Sequence, residues 1–215
     1  MNKGKLWVFG VAVSLLFALG CKTTYYATME KFGVHKRDIL KDNVQEARDE
    51  QQKAAEQFKD ALTRLRELYN IQGGDLEKTY DRLKADFDKS EARANAVKER
   101  IGKVETVAND LFMEWEKEIQ QMENSALASQ SRDKLRTTRE KYQSLHASMK
   151  QAEASMDPVL KQFRDQVLYL KHNLNAQAIG ALKGETLDIE KEIQKLIADM
   201  NASIQQADTF IKGLN

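Results

Sequence analysis

Apolar residues recur at alternating steps of four and three along most of the chain, and that rhythm leaves few folds open. The first series is Leu40, Val44, Ala47, Gln51, Ala54, Phe58, Ala61, Leu65 and Leu68. On a helix such positions fall on one stripe, the seam of packed helices, which needs a matching stripe to bury it. The second series runs Leu76, Tyr80, Leu83, Phe87, Ser90, Ala94, Val97, Ile101, Val104, Ala108, Leu111 and Trp115. The third is Leu135, Thr138, Tyr142, Leu145, Met149, Ala152 and Met156, continued by Leu160, Phe163, Val167, Leu170 and Leu174. The last is Ile189, Ile193, Leu196, Met200, Ser203 and Ala207. A single proline, ten glycines and 31% charged residues agree with long helices.

Interruptions in the rhythm mark the turns. Gly73 and Gly74 permit left-handed backbone, and Asp75 can cap the helix that follows. Residues 124–131 are small and polar, the composition of a turn. Asp157-Pro158 reads as a helix start or as a kink, because proline in the first turn loses no hydrogen bond. Gly180 to Gly184 is a softer break, and one unbroken helix from Pro158 to Gly213 is the competing reading. The expectation is all-α: one elongated antiparallel bundle over 35–213, with four long helices at about 35–69, 76–123, 131–178 and 185–212. Helices of ~50 residues would reach about 70 to 80 Å. Turns centred near 72, 128 and 181 would set Phe58 level with Phe87, Val167 and Leu196. They would set Trp115 level with Tyr142 and with residues 29–32. The N-terminus, the 124–131 turn and the C-terminus would then share one end.

The N-terminus carries a different signal. Lys3 and Lys5 precede an uncharged run from Leu6 to Gly20, which ends at Cys21, the only cysteine. A basic start, a short apolar run and a small residue make a secretory signal. The run is shorter than the roughly 20 residues a spanning helix needs. Phe17-Ala18-Leu19-Gly20-Cys21 resembles the lipobox of bacterial lipoproteins, which implies cleavage after Gly20 and a covalent lipid on Cys21. Residues 1–20 would be the signal peptide and 21–34 the lipidated cysteine with its tether. Lys22 in place of aspartate implies, by the same resemblance, transport to the outer membrane, most often facing the periplasm. An ordinary signal peptide or an uncleaved anchor is the alternative. With Cys21 acylated, no thiol remains for a disulfide, so packing alone would stabilise the fold.

Catalytic motifs are scarce. A formal net charge of +1 gives no argument for nucleic acid or anionic lipid as partner. Gly180-Ala181-Leu182-Lys183-Gly184-Glu185-Thr186 has the wrong spacing for a phosphate-binding loop and puts Glu185 where lysine is needed. His35, His146 and His172 are far apart, and none has an acidic or histidine neighbour at metal-ligand spacing. No catalytic residue, cofactor or metal is assigned. Leu111-Phe112-Met113 with Trp115, and Val167-Leu168-Tyr169-Leu170, place apolar groups around much of a helix, which reads as core or as a partner-binding patch. Tyr169, Lys171, His172, Asn173 and Asn175 read as a buried hydrogen-bond network that fixes helix register, or as a contact surface.

Several strings resemble a bacterial family of unknown function whose members are described as coiled-coil periplasmic lipoproteins. They are Gly73-Gly74-Asp75-Leu76-Glu77-Lys78, Leu111-Phe112 with Glu114-Trp115, Met156-Asp157-Pro158-Val159-Leu160, and Arg164 through Ile179. The resemblance covers roughly residues 25 to 213 and carries no catalytic residues. Some members bear the label DNA-repair ATPase, which matches coiled-coil likeness, since this chain lacks every phosphate-binding element. The expected role is a non-enzymatic, outer-membrane-anchored scaffold or binding module. Its partners would be the membrane through its lipid, and another envelope protein or the cell wall. The alternatives are a periplasmic chaperone or transport accessory, and a self-assembling protein that forms homo-oligomeric pores or filaments.

Overall fold

The computed structural model describes residues 36–69, 76–173 and 176–214. The expectations for the signal peptide, Cys21 and its tether, for Gly73, Gly74 and Asp75, and for Asn175 lie outside these residues. Four helices follow one another: α1 (Lys36–Tyr69), α2 (Leu76–Gln121), α3 (Ser125–His172) and α4 (Ala176–Gly213). The described residues contain no strand. The all-α bundle expected from the heptads is the fold of the chain. Helix α1 packs on α2 and α4, and α3 packs on the same two, so the bundle is a square with α1 and α3 on one diagonal. At 1.5 Å per residue the 48 residues of α3 extend for about 70 Å.

Ion pairs across the seams show that the neighbours are antiparallel. From α1 to α2 the pairs are Arg64–Asp86, Glu50–Arg93, Glu46–Arg100 and Lys36–Glu114, with one number rising as the other falls. The seam itself is buried as its spacing requires. Leu40, Val44, Ala47, Ala54, Phe58, Ala61 and Leu65 of α1 are enclosed, and Ile189, Ile193, Leu196 and Met200 of α4 face them. Removing such side chains from water is the main favourable term in the fold, about 1.5–3 kcal/mol for each large one. A polar rung between α1 and α4 interrupts the apolar run. Gln51 and Ser203 are fully buried, and the serine hydroxyl donates to Gln51 Oε1 at 2.9 Å. Gln51 Nε2 has no hydrogen-bond partner among the described residues.

The turns differ from the sequence reading in three places. First, only residues 122–124 interrupt the chain between α2 and α3. Asn124 caps α3, its side chain accepting from the amides of Ala126 (3.0 Å) and Leu127 (3.1 Å). The small residues behind it are helix-compatible, and Ala128 is buried in the core. Second, Pro158 lies inside α3, which runs through it without a break. The ring removes one donor from the ladder, yet Met156, Val159 and Leu160 on either side are buried and hold the segment in line. Third, the break before α4 falls at Asn173, and Gly180 is helical. Asn173 turns its Nδ2 back to the carbonyl of Tyr169 at 3.0 Å, while its backbone N–H reaches Leu170 at 3.1 Å. An asparagine that bonds its own backbone ends a helix more firmly than a glycine left in mid-helix. The single helix from 158 to 213 is therefore excluded.

Moving a turn by one residue moves the register of its two helices by two. The level expected between Phe58 and Phe87 agrees with the α1–α2 ion pairs that bracket it. Phe87 meets Phe163 rather than Val167, edge to face at 5.9 Å. Leu196 lies opposite the 151–155 stretch, because Lys195 reaches Ser155 (3.2 Å) and Gln151 reaches Asp199 (3.3 Å). Val167 and Leu196 are not level.

Gly102 occupies an exposed position within α2, and an added Cβ there would meet nothing within 4 Å. Glycine costs helix interiors roughly 0.5–1 kcal/mol relative to alanine. Gly102→Ala is expected to stabilise the bundle by about that much, read as a higher urea midpoint with an unchanged slope.

Candidate functional site

Three polar clusters lie on helix boundaries. The first joins α2 to α3. His146 Nε2 stands 2.6 Å from Glu105 Oε1, and its ring stacks on Tyr142 at 5.7 Å. Tyr142 in turn packs edge-on against Phe112 at 5.4 Å and lies 6.2 Å from Phe210 of α4. Burial, with the Glu105 charge adding to it, pushes the Tyr142 hydroxyl up to about 12, so it stays protonated at neutral pH. Spacing along the chain offers His146 no acidic partner. The structure supplies one from another helix, where no local spacing rule reaches. Among the described residues no group of three or more acidic, histidine or cysteine side chains is placed to hold a metal ion.

The second cluster joins α3 to α4. Ser155 is buried and its hydroxyl contacts both the Gln151 carbonyl (3.0 Å) and the Asp199 carboxylate. Lys195 Nζ reaches Ser155 Oγ at 3.2 Å and Asp199 Oδ2 at 2.8 Å. Burial pulls the Asp199 carboxyl upward, but hydrogen bonds from Lys195, Ser155 and Gln151 outweigh it and hold the group below the usual carboxylate range. Through these contacts the three groups tie α3 to α4.

The third feature is an open groove of about 450 Å³ between α2 and α3, near their turn. Ile119 and Leu135 form its floor and are buried. Arg132, Arg136 and Arg139 stand along its α3 wall, one and two turns apart. Arg139 is engaged: it pairs with Glu116 at 2.9 Å and lies 5.2 Å from the centre of the Phe112 ring. Arg136 reaches Asp133 and Glu140 only at 3.4 and 3.5 Å. Arg132 is exposed and has no carboxylate at ion-pair distance among the described residues. The spacing of these arginines was visible in the sequence, but nothing there separated them from the other charges on polar helix faces.

The residues singled out from the sequence are not gathered in one place. Trp115 packs partly buried on the core and donates from Nε1 to Ser131 Oγ at 2.8 Å, bridging α2 and α3. Tyr169, Lys171 and His172 lie at the opposite end of α3 and are exposed. They do not form a buried network, and Asn173 among them serves as the cap of α3. The two apolar stretches divide between core and surface. Leu111, Phe112, Val167 and Leu170 are buried, whereas Met113, Leu168 and Tyr169 are exposed. Met122 and Leu127 are exposed beside the α2–α3 turn. No described helix is long and apolar enough to cross a membrane.

Long antiparallel helices, a mostly apolar interior that includes the buried Gln51–Ser203 pair, and polar clusters that tie helix to helix define this as a four-helix bundle protein. The chain belongs to the family described as Protein of unknown function (DUF2959), whose signature spans residues 25–214. No curated protein matches it.

Proposed function

We propose that this protein is a non-enzymatic lipoprotein, anchored by a lipid on Cys21 to the periplasmic face of the outer membrane. In this reading it is a helical scaffold or binding module that works by geometry. The acyl chains hold one end, and the bundle presents its far turns or flank to another envelope protein or to the cell wall. The observation that carries the reading is the lone cysteine closing a charge-free run behind two lysines. The geometry supports it in one respect: Lys36, where α1 begins, pairs with Glu114 at 2.7 Å, so α1 starts towards the α2–α3 turn end of the bundle. The exposed large apolar side chains fall into two small groups at opposite ends of α3, which supports discrete contacts over a continuous client-holding groove.

Metabolic labelling with a palmitate analogue tests the anchor. The wild type is expected to take up label and sediment with outer membranes, and Cys21→Ala to take up none. Equal labelling of both, or an unlabelled wild type, would overturn the anchor. In-cell cross-linking from probes at Gly73 and Tyr169 tests the scaffold. A single recurrent envelope partner is expected, and a monomer without partners would remove this part.

A further inference from the structure

We infer that the α2–α3 groove binds the phosphate headgroup of a phospholipid in the membrane to which Cys21 is tethered. The inference rests on the anchoring proposed above and names a second contact with the same surface. Two guanidiniums, Arg132 and Arg136, are four residues apart, about 5–6 Å between Cβ atoms on a helix. That separation lets both reach one tetrahedral phosphate, for which the guanidinium fork is well matched. Arg136 is held only by long hydrogen bonds, to the exposed Asp133 at 3.4 Å and to the exposed Glu140 at 3.5 Å, and Arg132 has no carboxylate partner among the described residues. Beneath them Ile119 and Leu135 offer an apolar floor for the first methylenes of an acyl chain. A free anion would have no use for that floor, and an uncharged apolar ligand none for the arginines.

The position of the groove favours the membrane as the source of the phosphate. Met122 and Leu127, beside the turn, are exposed large apolar side chains at the same end of the molecule. From Glu114, where Lys36 is held, to the turn at residues 122–124 is about 15 Å along the helix. The ~15 residues between Cys21 and Lys36 span roughly 50 Å fully extended and about 22 Å even as a helix. The tether is therefore long enough for the α2–α3 tip to rest on the surface that holds the acylated cysteine.

The test uses the full-length protein in neutral detergent, followed by amide hydrogen exchange over residues 116–143. It is titrated separately with dioctanoyl phosphatidylglycerol, with dioctanoylglycerol (the same tails without phosphate) and with inorganic phosphate. Phosphatidylglycerol is expected to slow exchange, and the other two to have at least tenfold less effect at equal concentration. Arg132→Gln with Arg136→Gln is expected to raise the half-saturating lipid concentration at least tenfold at an unchanged melting temperature. The double lysine variant should fall between. Equal protection by dioctanoylglycerol, by inorganic phosphate, or by raising the protein concentration alone would overturn the assignment. The last would point to a second copy in the groove. Unchanged lipid binding in the double glutamine variant would overturn it as well. None of these arms needs the acyl chain, so failure here and failure of the palmitate label at Cys21 are separable.

Discussion

Phe163→Ala is expected to cost about 3–5 kcal/mol, the usual range for deleting a fully buried aromatic side chain. Phe163 is 1% exposed and meets Phe87 edge to face, with ring planes 80° apart. Both the transfer energy and the aromatic contact would be lost, and a straight helix cannot collapse into the space. Domains of this kind are stable by only about 5–15 kcal/mol in total, so the loss is a large share of the whole. For a bundle of this size the melting temperature should fall by roughly 10 °C. The control is Leu168→Ala on the same helix, where the side chain is 49% exposed and the change should stay within about 0.5 kcal/mol. Urea melts of the two variants check the register. Similar small losses in both would mean that Phe163 does not face Phe87.

Asp86→Asn is expected to do the opposite and stabilise the fold at pH 7, by on the order of 1 kcal/mol. Asp86 of α2 is 3% exposed. Arg64 Nε lies 2.6 Å from its Oδ2, close enough for charge and a weak contact but too poorly aligned for a full hydrogen bond among the described residues. Burial raises the carboxyl above its ordinary value, and the charges of Arg64 and Lys89 only partly offset this. The sign for stability follows. Below the unfolded-state value the group is neutral in both states and costs nothing. As pH rises through that value towards the folded one, the unfolded chain gives up its proton first, and the fold loses stability. The wild type should therefore lie below the Asn variant at neutral pH and converge with it in acid, below about pH 4. A constant gap across that range would show that Asp86 is not the titrating group.

The heptad stripes carried almost all of the fold in the sequence. Each of Leu40, Val44, Ala47, Gln51, Ala54, Phe58, Ala61 and Leu65 is buried, and so are the corresponding positions of α2, α3 and α4 from Leu83 to Leu111, Leu145 to Met156 and Ile189 to Ala207. Periodicity is a strong signal because it is repeated, whereas a turn is written once. The glycines at 180 and 184 read as the break, yet Asn173 can bond its own backbone and Gly180 cannot. That single choice displaced the register of α3 against α4. The polar clusters were invisible for a different reason. Glu105 and His146, or Ser155 and Asp199, come together only after the helices are aligned, and no spacing along one helix encodes them. The groove arginines were legible as spacing, but that Arg139 is paired with Glu116 while Arg132 has no carboxylate partner among the described residues appears only in three dimensions.

The buried rung formed by Gln51 and Ser203 has a mechanical meaning. Greasy heptads alone would let α1 slide past α4 by one repeat and find an equally apolar surface. With Gln51 in place, such a slip sets its amide against Leu196 or Phe210, the residues one heptad either side of Ser203. Stranding a buried amide costs about 1–3 kcal/mol. The joint between α1 and α4 is thus keyed: a slip of one repeat along the axis meets a notch.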